Sequence, residues 1–163
     1  MIIRQLSTLI EEKLFKGKAI IIIGPRQVGK TTLLKDVCGK VNKKYLWLDG
    51  DEPDVRQQYS EITSTALKQK LAPFEVVIID EAQRIPNVGL TIKLIVDNIA
   101  DIQVVVSGSS ALELTQKVNE PLTGRKFEYS MFPISYKEHV DHFGAMETKR
   151  LLESRLFFFM FAE

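Results

Sequence analysis

The stretch Ala19-Ile20-Ile21-Ile22-Ile23-Gly24-Pro25-Arg26-Gln27-Val28-Gly29-Lys30-Thr31-Thr32 decides the fold. Five apolar residues, four of them β-branched, read as a strand buried on both faces. The strand runs straight into G-x-x-x-x-G-K-T, and Thr31–Val41 then places Leu33, Leu34, Val37 and Val41 on one helical face. Two glycines let a backbone curl tightly enough to aim successive N–H groups at an anion, and the helix adds its partially positive end. In such a loop Lys30 reaches the β- and γ-phosphates of a nucleotide, and the Thr31 hydroxyl can ligate Mg2+. Gly24, Pro25, Arg26, Gln27, Val28, Gly29, Lys30, Thr31 and Thr32 are therefore the expected nucleotide-binding residues.

Outward from this loop the chain alternates strand and helix. Lys44–Leu48 ends at the acidic stretch Asp49-Gly50-Asp51-Glu52-Pro53, Val76–Ile79 ends at Asp80-Glu81, and Gln103–Val106 ends at Ser107-Gly108-Ser109-Ser110. Lys126–Phe132 is a weaker, alternating fifth strand. Helical patterns occupy Asp54–Leu71, as one broken helix or two short ones, then Val88–Ala100 and Ala111–Val118. This alternation predicts an α/β fold of the P-loop kind, a parallel sheet with right-handed crossovers sandwiched by helices. Ser135 followed by Glu138 reads as a capping box opening a helix at Tyr136. Pro133 is the expected boundary, with residues 1–133 forming a nucleotide-binding core and 134–163 the start of a helical lid.

The acidic pair after Val76–Ile79 supplies what the loop lacks. A carboxylate at the tip of a buried neighbouring strand, Asp80, can hold magnesium through its water shell. Glu81, one residue on, is then placed to polarise an attacking water. Ser109 lies where a hydroxyl can sense the γ-phosphate, with Ser107 as the second choice; the plainer reading is a helix cap before Ala111. The acids around Pro53 read as a routine helix start. His139 and His142 share one helix face without a third strong ligand for zinc.

Composition sets the remaining limits. The 163 residues suffice for one α/β domain; 45% are hydrophobic and 26% charged. A net charge of +1 supports neither a strongly basic nucleic-acid binder nor a polybasic membrane anchor, although a local patch touching DNA is compatible with it. Cys38, the one cysteine, rules out an intrachain disulfide and suggests a reducing cytoplasm; its neighbours mark it as a small buried hydrophobe. No run approaches the ~20 apolar residues of a membrane span. Ile3, Leu6, Ile10 and Leu14 predict an amphipathic N-terminal helix rather than a signal peptide. The unbroken apolar run Leu156–Phe161 would leave a sticky tail, so the chain is expected to continue beyond residue 163.

Taken together, GPRQVGKTTLL, DGDEP, VIIDEAQRIPNVG, VVSGSSALEL and EPLTGRKFEYSMFPISYKEH resemble a prokaryotic ATPase family of the AAA+ class, from about residue 18 to about residue 139. The resemblance implies strand order 5-1-4-3-2, ATP and Mg2+ as ligands, Gly24–Thr31 as Walker A and Asp80-Glu81 as the Walker B pair. It places Ser109 at the first sensor and makes Arg125 a candidate phosphate-sensing or finger arginine. Lys30, Glu81, Ser109 and Arg125 thus form the expected catalytic set, with Thr31 and Asp80 on the metal. It further implies a helical lid and a C-terminal effector domain. The segment near the lid departs from the family pattern, with Phe159 and Ala162 where Gly and Pro recur, so the second sensor arginine has no support. Two functions follow: an ATPase module, cytoplasmic, driving a C-terminal effector or a nucleic-acid transaction, with a homo-oligomer as one assembly; or a slow nucleotide-gated switch that awaits an arginine in trans. A GTPase would need an Asn-Lys-x-Asp reader, a helicase a second motor domain, and a small-molecule kinase an arginine-rich insert; none is evident.

Overall fold

The computed structural model describes residues 2–109 and 111–160, and the side chains of these except 111 and 154–160. Five strands, β1 (Ala19–Ile23), β2 (Tyr45–Asp49), β3 (Val76–Asp80), β4 (Gln103–Gly108) and β5 (Lys126–Ser130), form one sheet. Its order is β2-β3-β4-β1-β5, the expected order read from the other edge, and every neighbouring pair is parallel. The helices are α1 (Gln5–Glu11), α2 (Lys30–Val41), α3 (Pro53–Tyr59), α4 (Ser64–Leu71), α5 (Val88–Asn98), α6 (Ala111–Val118), α7 (Tyr136–Phe143) and α8 (Ala145–Met160). The Asp54–Leu71 pattern resolves into two short helices. Pro53 opens α3 with Asp54 in its first turn, and Thr63 caps α4 by accepting from the Ala66 amide at 3.3 Å.

Period-two alternation in β1 builds both halves of the core. Ile20 and Ile22 face one way, packing with Leu33, Leu34, Val37 and Cys38 of α2 and with Ile10 of α1. Ala19, Ile21 and Ile23 face the other way, toward Ile92 and Ile95 of α5 and Leu114 of α6. All five β1 residues are buried, as are all of β3 and β4, whereas the edge strands β2 and β5 are only partly covered. Each fully buried isoleucine contributes about 1.5–3 kcal/mol of transfer free energy, so the central strands anchor the domain. They also fix the ends from which the functional loops spring.

One expectation changes at the N-terminus. The helix is shorter than the apolar spacing suggests: Ile10 is fully buried and Leu6 and Leu14 pack partly, but Ile3 is 71% exposed and precedes the helix. The charged side of α1 is tied to α2 instead, through Glu11, Lys40, Asp36 and Ser7. Cys38 is buried as expected, and burial pushes its thiol above the usual range. His139 and His142 both lie against the Phe143 ring. The Leu156–Phe161 run lies outside the residues whose side chains are described. Among the described residues no helix is long and apolar enough to cross a membrane.

Two helical glycines provide a paired test of packing. A Cβ on Gly89 would stand 2.0 Å from the Lys117 carbonyl oxygen, whereas one on Gly39 would meet nothing within 4 Å. Gly89→Ala should lower unfolding stability in urea by about 1–3 kcal/mol through overpacking. Gly39→Ala should raise it by about 0.5–1 kcal/mol, since the helix loses only a flexible residue.

Candidate nucleotide site

The site begins where β1 stops. The Gly24 amide donates to the Gly108 carbonyl at 3.3 Å, and a Cβ at Gly24 would lie 2.3 Å from the Met131 carbonyl oxygen, so only glycine fits this exit from the sheet. The chain then rises through exposed Pro25, Arg26 and Gln27, and Gly29 at φ 94° turns it into α2. No side chain caps this helix, which leaves its first amides free for an anion. Lys30 is 5% exposed, and its ammonium donates to the Gly24 and Pro25 carbonyls at 2.8 Å each. Burial holds the ammonium below the usual lysine range, against the upward pull of Glu81 and Asp80.

Three strand ends deliver the carboxylates and hydroxyls. Asp80 closes β3 and is 5% exposed; its Oδ2 accepts from the Thr31 hydroxyl at 2.7 Å and its Oδ1 from the buried Ser107 hydroxyl. Glu81 follows at φ 47°, a left-handed conformation uncommon outside glycine. Its Oε2 accepts from the Ser109 hydroxyl at 2.7 Å and from the Gln83 amide at 2.6 Å. Burial alone would raise the Glu81 carboxyl, but these two hydrogen bonds and nearby Lys30 and Arg26 hold it below the ordinary carboxylate range. The acidic loop after β2 closes the side, with the Gly50 amide donating to the Asp80 carbonyl at 2.8 Å.

Two cavities meet at the loop. One, of about 490 Å3, is lined by Arg26, Lys30, Thr31, Asp51 and Glu81. The other, of about 260 Å3, is more apolar and runs between Ile2, Arg4, Val28, Leu33 and Ile134. Gln27, Gly29 and Thr32 border both. A polar cleft joined to an apolar one across a helix N-terminus is shaped for a molecule with an anionic end and a flat apolar end.

The expected residues divide cleanly. Lys30, Thr31, Asp80, Glu81 and Ser109 converge. Ser107, the second choice for a phosphate sensor, instead spends its hydroxyl on Asp80. Arg125 stands at the other end of the sheet. Its carbonyl accepts from the amide of Ala19, the first residue of β1, and its guanidinium pairs with Asp97 of α5 at 2.6 Å. The length of β1, roughly 15 Å at ~3.3 Å per residue, separates it from its own chain's phosphate loop. A phosphate-sensing role within this chain is therefore corrected. Sequence reasoning missed two residues, Gln83 and Arg4. Gln83 stands three places after Asp80 in the Asp-Glu-Ala-Gln string, whereas Arg4 gave no signal beyond being a lone charge ahead of an amphipathic helix.

An all-parallel five-stranded sheet, with the glycine-rich loop after a central strand and a carboxylate at the end of another, defines a P-loop nucleotide-binding module of the ATPase kind. The chain belongs to the AAA domain family AAA_14, whose model matches residues 16–140. It is 28% identical over 127 residues to an uncharacterized protein of Mycobacterium tuberculosis and, equally, to one of Mycobacterium bovis. In each case the match covers 75% of this chain and 26% of the relative, so the chain spans about a quarter of their length. Among solved structures it is similar to the Walker-type ATPase PABY2304 of Pyrococcus abyssi, with a TM-score of 0.59 and 17% identity over 86% of this chain and 56% of the other. That likeness supports the fold.

Removing the Ser109 hydroxyl takes one donor from Glu81. In Ser109→Ala the Glu81 carboxyl should titrate higher, toward its ordinary value of 4.5. The stabilisation a depressed carboxyl gives is present above that value and lost as pH falls through the folded one, so the variant should lose less stability on acidification. Carbon-13 NMR of the Glu81 carboxyl checks the direction.

Proposed function

We infer that this chain binds Mg·ATP along Gly24–Thr32 and hydrolyses it. The observation that supports this best is the meeting of Lys30 and Thr31, from the start of α2, with Asp80 and Glu81, from the end of β3, around one cleft. Thr31 and Asp80 present two hard oxygens 2.7 Å apart, a donor set that suits Mg2+. When bound, the ion would supply charge neutralisation between the β- and γ-phosphates. The free amides of α2 and the Lys30 ammonium receive the phosphates, Lys30 exchanging the Gly24 and Pro25 carbonyls for phosphate oxygens. Glu81 polarises the attacking water and Ser109 helps orient it. The apolar cavity beside Val28 and Leu33 takes the base.

A second reading, a nucleotide-gated switch with slow turnover, is favoured by one contact set. The Glu81 carboxylate already accepts from both Ser109 and Gln83, and a carboxylate so occupied is a poorer base. Arg125, half-exposed at the far end of the sheet, would then exchange Asp97 for a neighbouring copy in a homo-oligomer, where a finger arginine is worth ~10³–10⁵ in rate. In either reading residues 1–133 are the nucleotide core and 134–163 the start of a lid in a cytoplasmic protein. A C-terminal effector, or a nucleic-acid transaction, is what the cycle would drive.

Lys30→Ala should weaken ATP binding at least tenfold by calorimetry, because it removes the charge facing the phosphates; equal affinity would sink the assignment. Glu81→Gln keeps the side chain's size and leaves Asp80 in place. It should bind Mg·ATP within a few-fold of the parent while single-turnover hydrolysis falls at least a hundredfold. Unchanged hydrolysis would remove Glu81 from the role, and turnover rising with protein concentration would favour action in trans.

A further inference from the structure

Arg4 lies outside the residues that compose the phosphate site, yet its three side-chain nitrogens join three parts of the fold. Nη1 donates to the Val28 carbonyl in the phosphate loop at 2.7 Å, Nη2 to the Phe132 carbonyl just past β5 at 2.5 Å, and Nε to Glu138 of α7 at 3.1 Å. The guanidinium also lies against Gly29, where a built Cβ would be 3.7 Å from Nη1. Arg4 and Glu138 are 12% and 7% exposed. The carboxylate is equally committed. Its Oε1 also accepts the Gln5 amide at 2.9 Å, and its Oε2 accepts the Ser135 amide at 2.8 Å and hydroxyl at 3.1 Å.

A sheltered, multiply hydrogen-bonded ion pair is worth little as net stability, but it is costly to break from one side. Its planar fork fixes distances and angles that a lysine cannot. We propose that Arg4 is a positioning residue that locks the phosphate loop to α7 through Glu138, so that nucleotide occupancy and the placement of α7 are one coupled equilibrium. The physical reason is direct. The Val28 carbonyl is one peptide from Gly29, so an Arg4 that moves with α7 tilts the amides that open α2. By reciprocity, a nucleotide that fixes those amides fixes α7. The proposal rests on the nucleotide reading of the site but concerns how the loop is held.

The test uses the 163-residue chain and two variants, Arg4→Ala and Glu138→Gln, with their double mutant. Glu138 touches none of residues 28–31, so amide NMR of that stretch in nucleotide-free protein reads the coupling alone. Glu138→Gln should shift those resonances. ATP affinity should fall about tenfold in Arg4→Ala and no further in the double mutant, because the second change breaks a link already gone. Loop resonances that stay put in Glu138→Gln, or penalties that simply add, overturn the proposal. If the parent chain binds no ATP, the nucleotide reading fails and the loop resonances alone decide the lock. Should Arg4→Ala not fold, Arg4→Lys replaces it. That variant keeps the charge without the fork and should lose affinity nearly as much; full rescue by lysine would overturn the lock.

Discussion

A carboxylate at the end of a buried parallel strand must be satisfied, and in this molecule Asp80 is satisfied by groups from both sides of it. Ser107 reaches it from the end of β4 and Thr31 from the first turn of α2. Those two bonds draw together the ends of β3 and β4 and the helix that follows β1. The phosphate loop is thereby held against an acidic partner, and Lys30 closes the circle on the carbonyls of its own loop. The surrounding charges are arranged around one cleft because the strands that carry them lie side by side and all point the same way.

How much of this was legible in the sequence depended on whether the signal was local. The loop, the strand before it and the helix after it obey spacing rules that a short window contains, so Gly24–Thr32 could be read directly. Asp80 and Glu81 were legible for the same reason, at the end of an unbroken apolar run. Strand order was not readable from spacing; it came with the resemblance. The role of Arg4 was invisible because its partners, Val28, Phe132 and Glu138, lie 24, 128 and 134 positions away. Glu138 was half legible: its capping of Ser135 is a four-residue pattern, whereas its second allegiance to the N-terminal segment is a matter of tertiary structure. Arg125 shows the opposite error. Arg125 precedes β5, which in a parallel sheet puts it at the end opposite the phosphate loop, and the Ala19–Arg125 hydrogen bond shows it there; the motif was weighed without that direction.

The close approaches around the cleft also bear on heredity. A Cβ would come within 2.3 Å of a backbone oxygen at Gly24 and at Gly50, and within 2.6–2.7 Å of Leu114 and Gln83 at Gly108. Every missense change in a glycine codon adds at least that one carbon, and at Gly24 and Gly50 the obstacle is main chain that cannot rotate aside. These positions have no neutral neighbours in genetic code space. Arg26, two residues on from Gly24 and open to solvent, has many. Descendants of this sequence can therefore drift in what the rim of the cleft presents while its floor stays fixed, which lets one nucleotide-handling frame be refitted to new surroundings without being rebuilt.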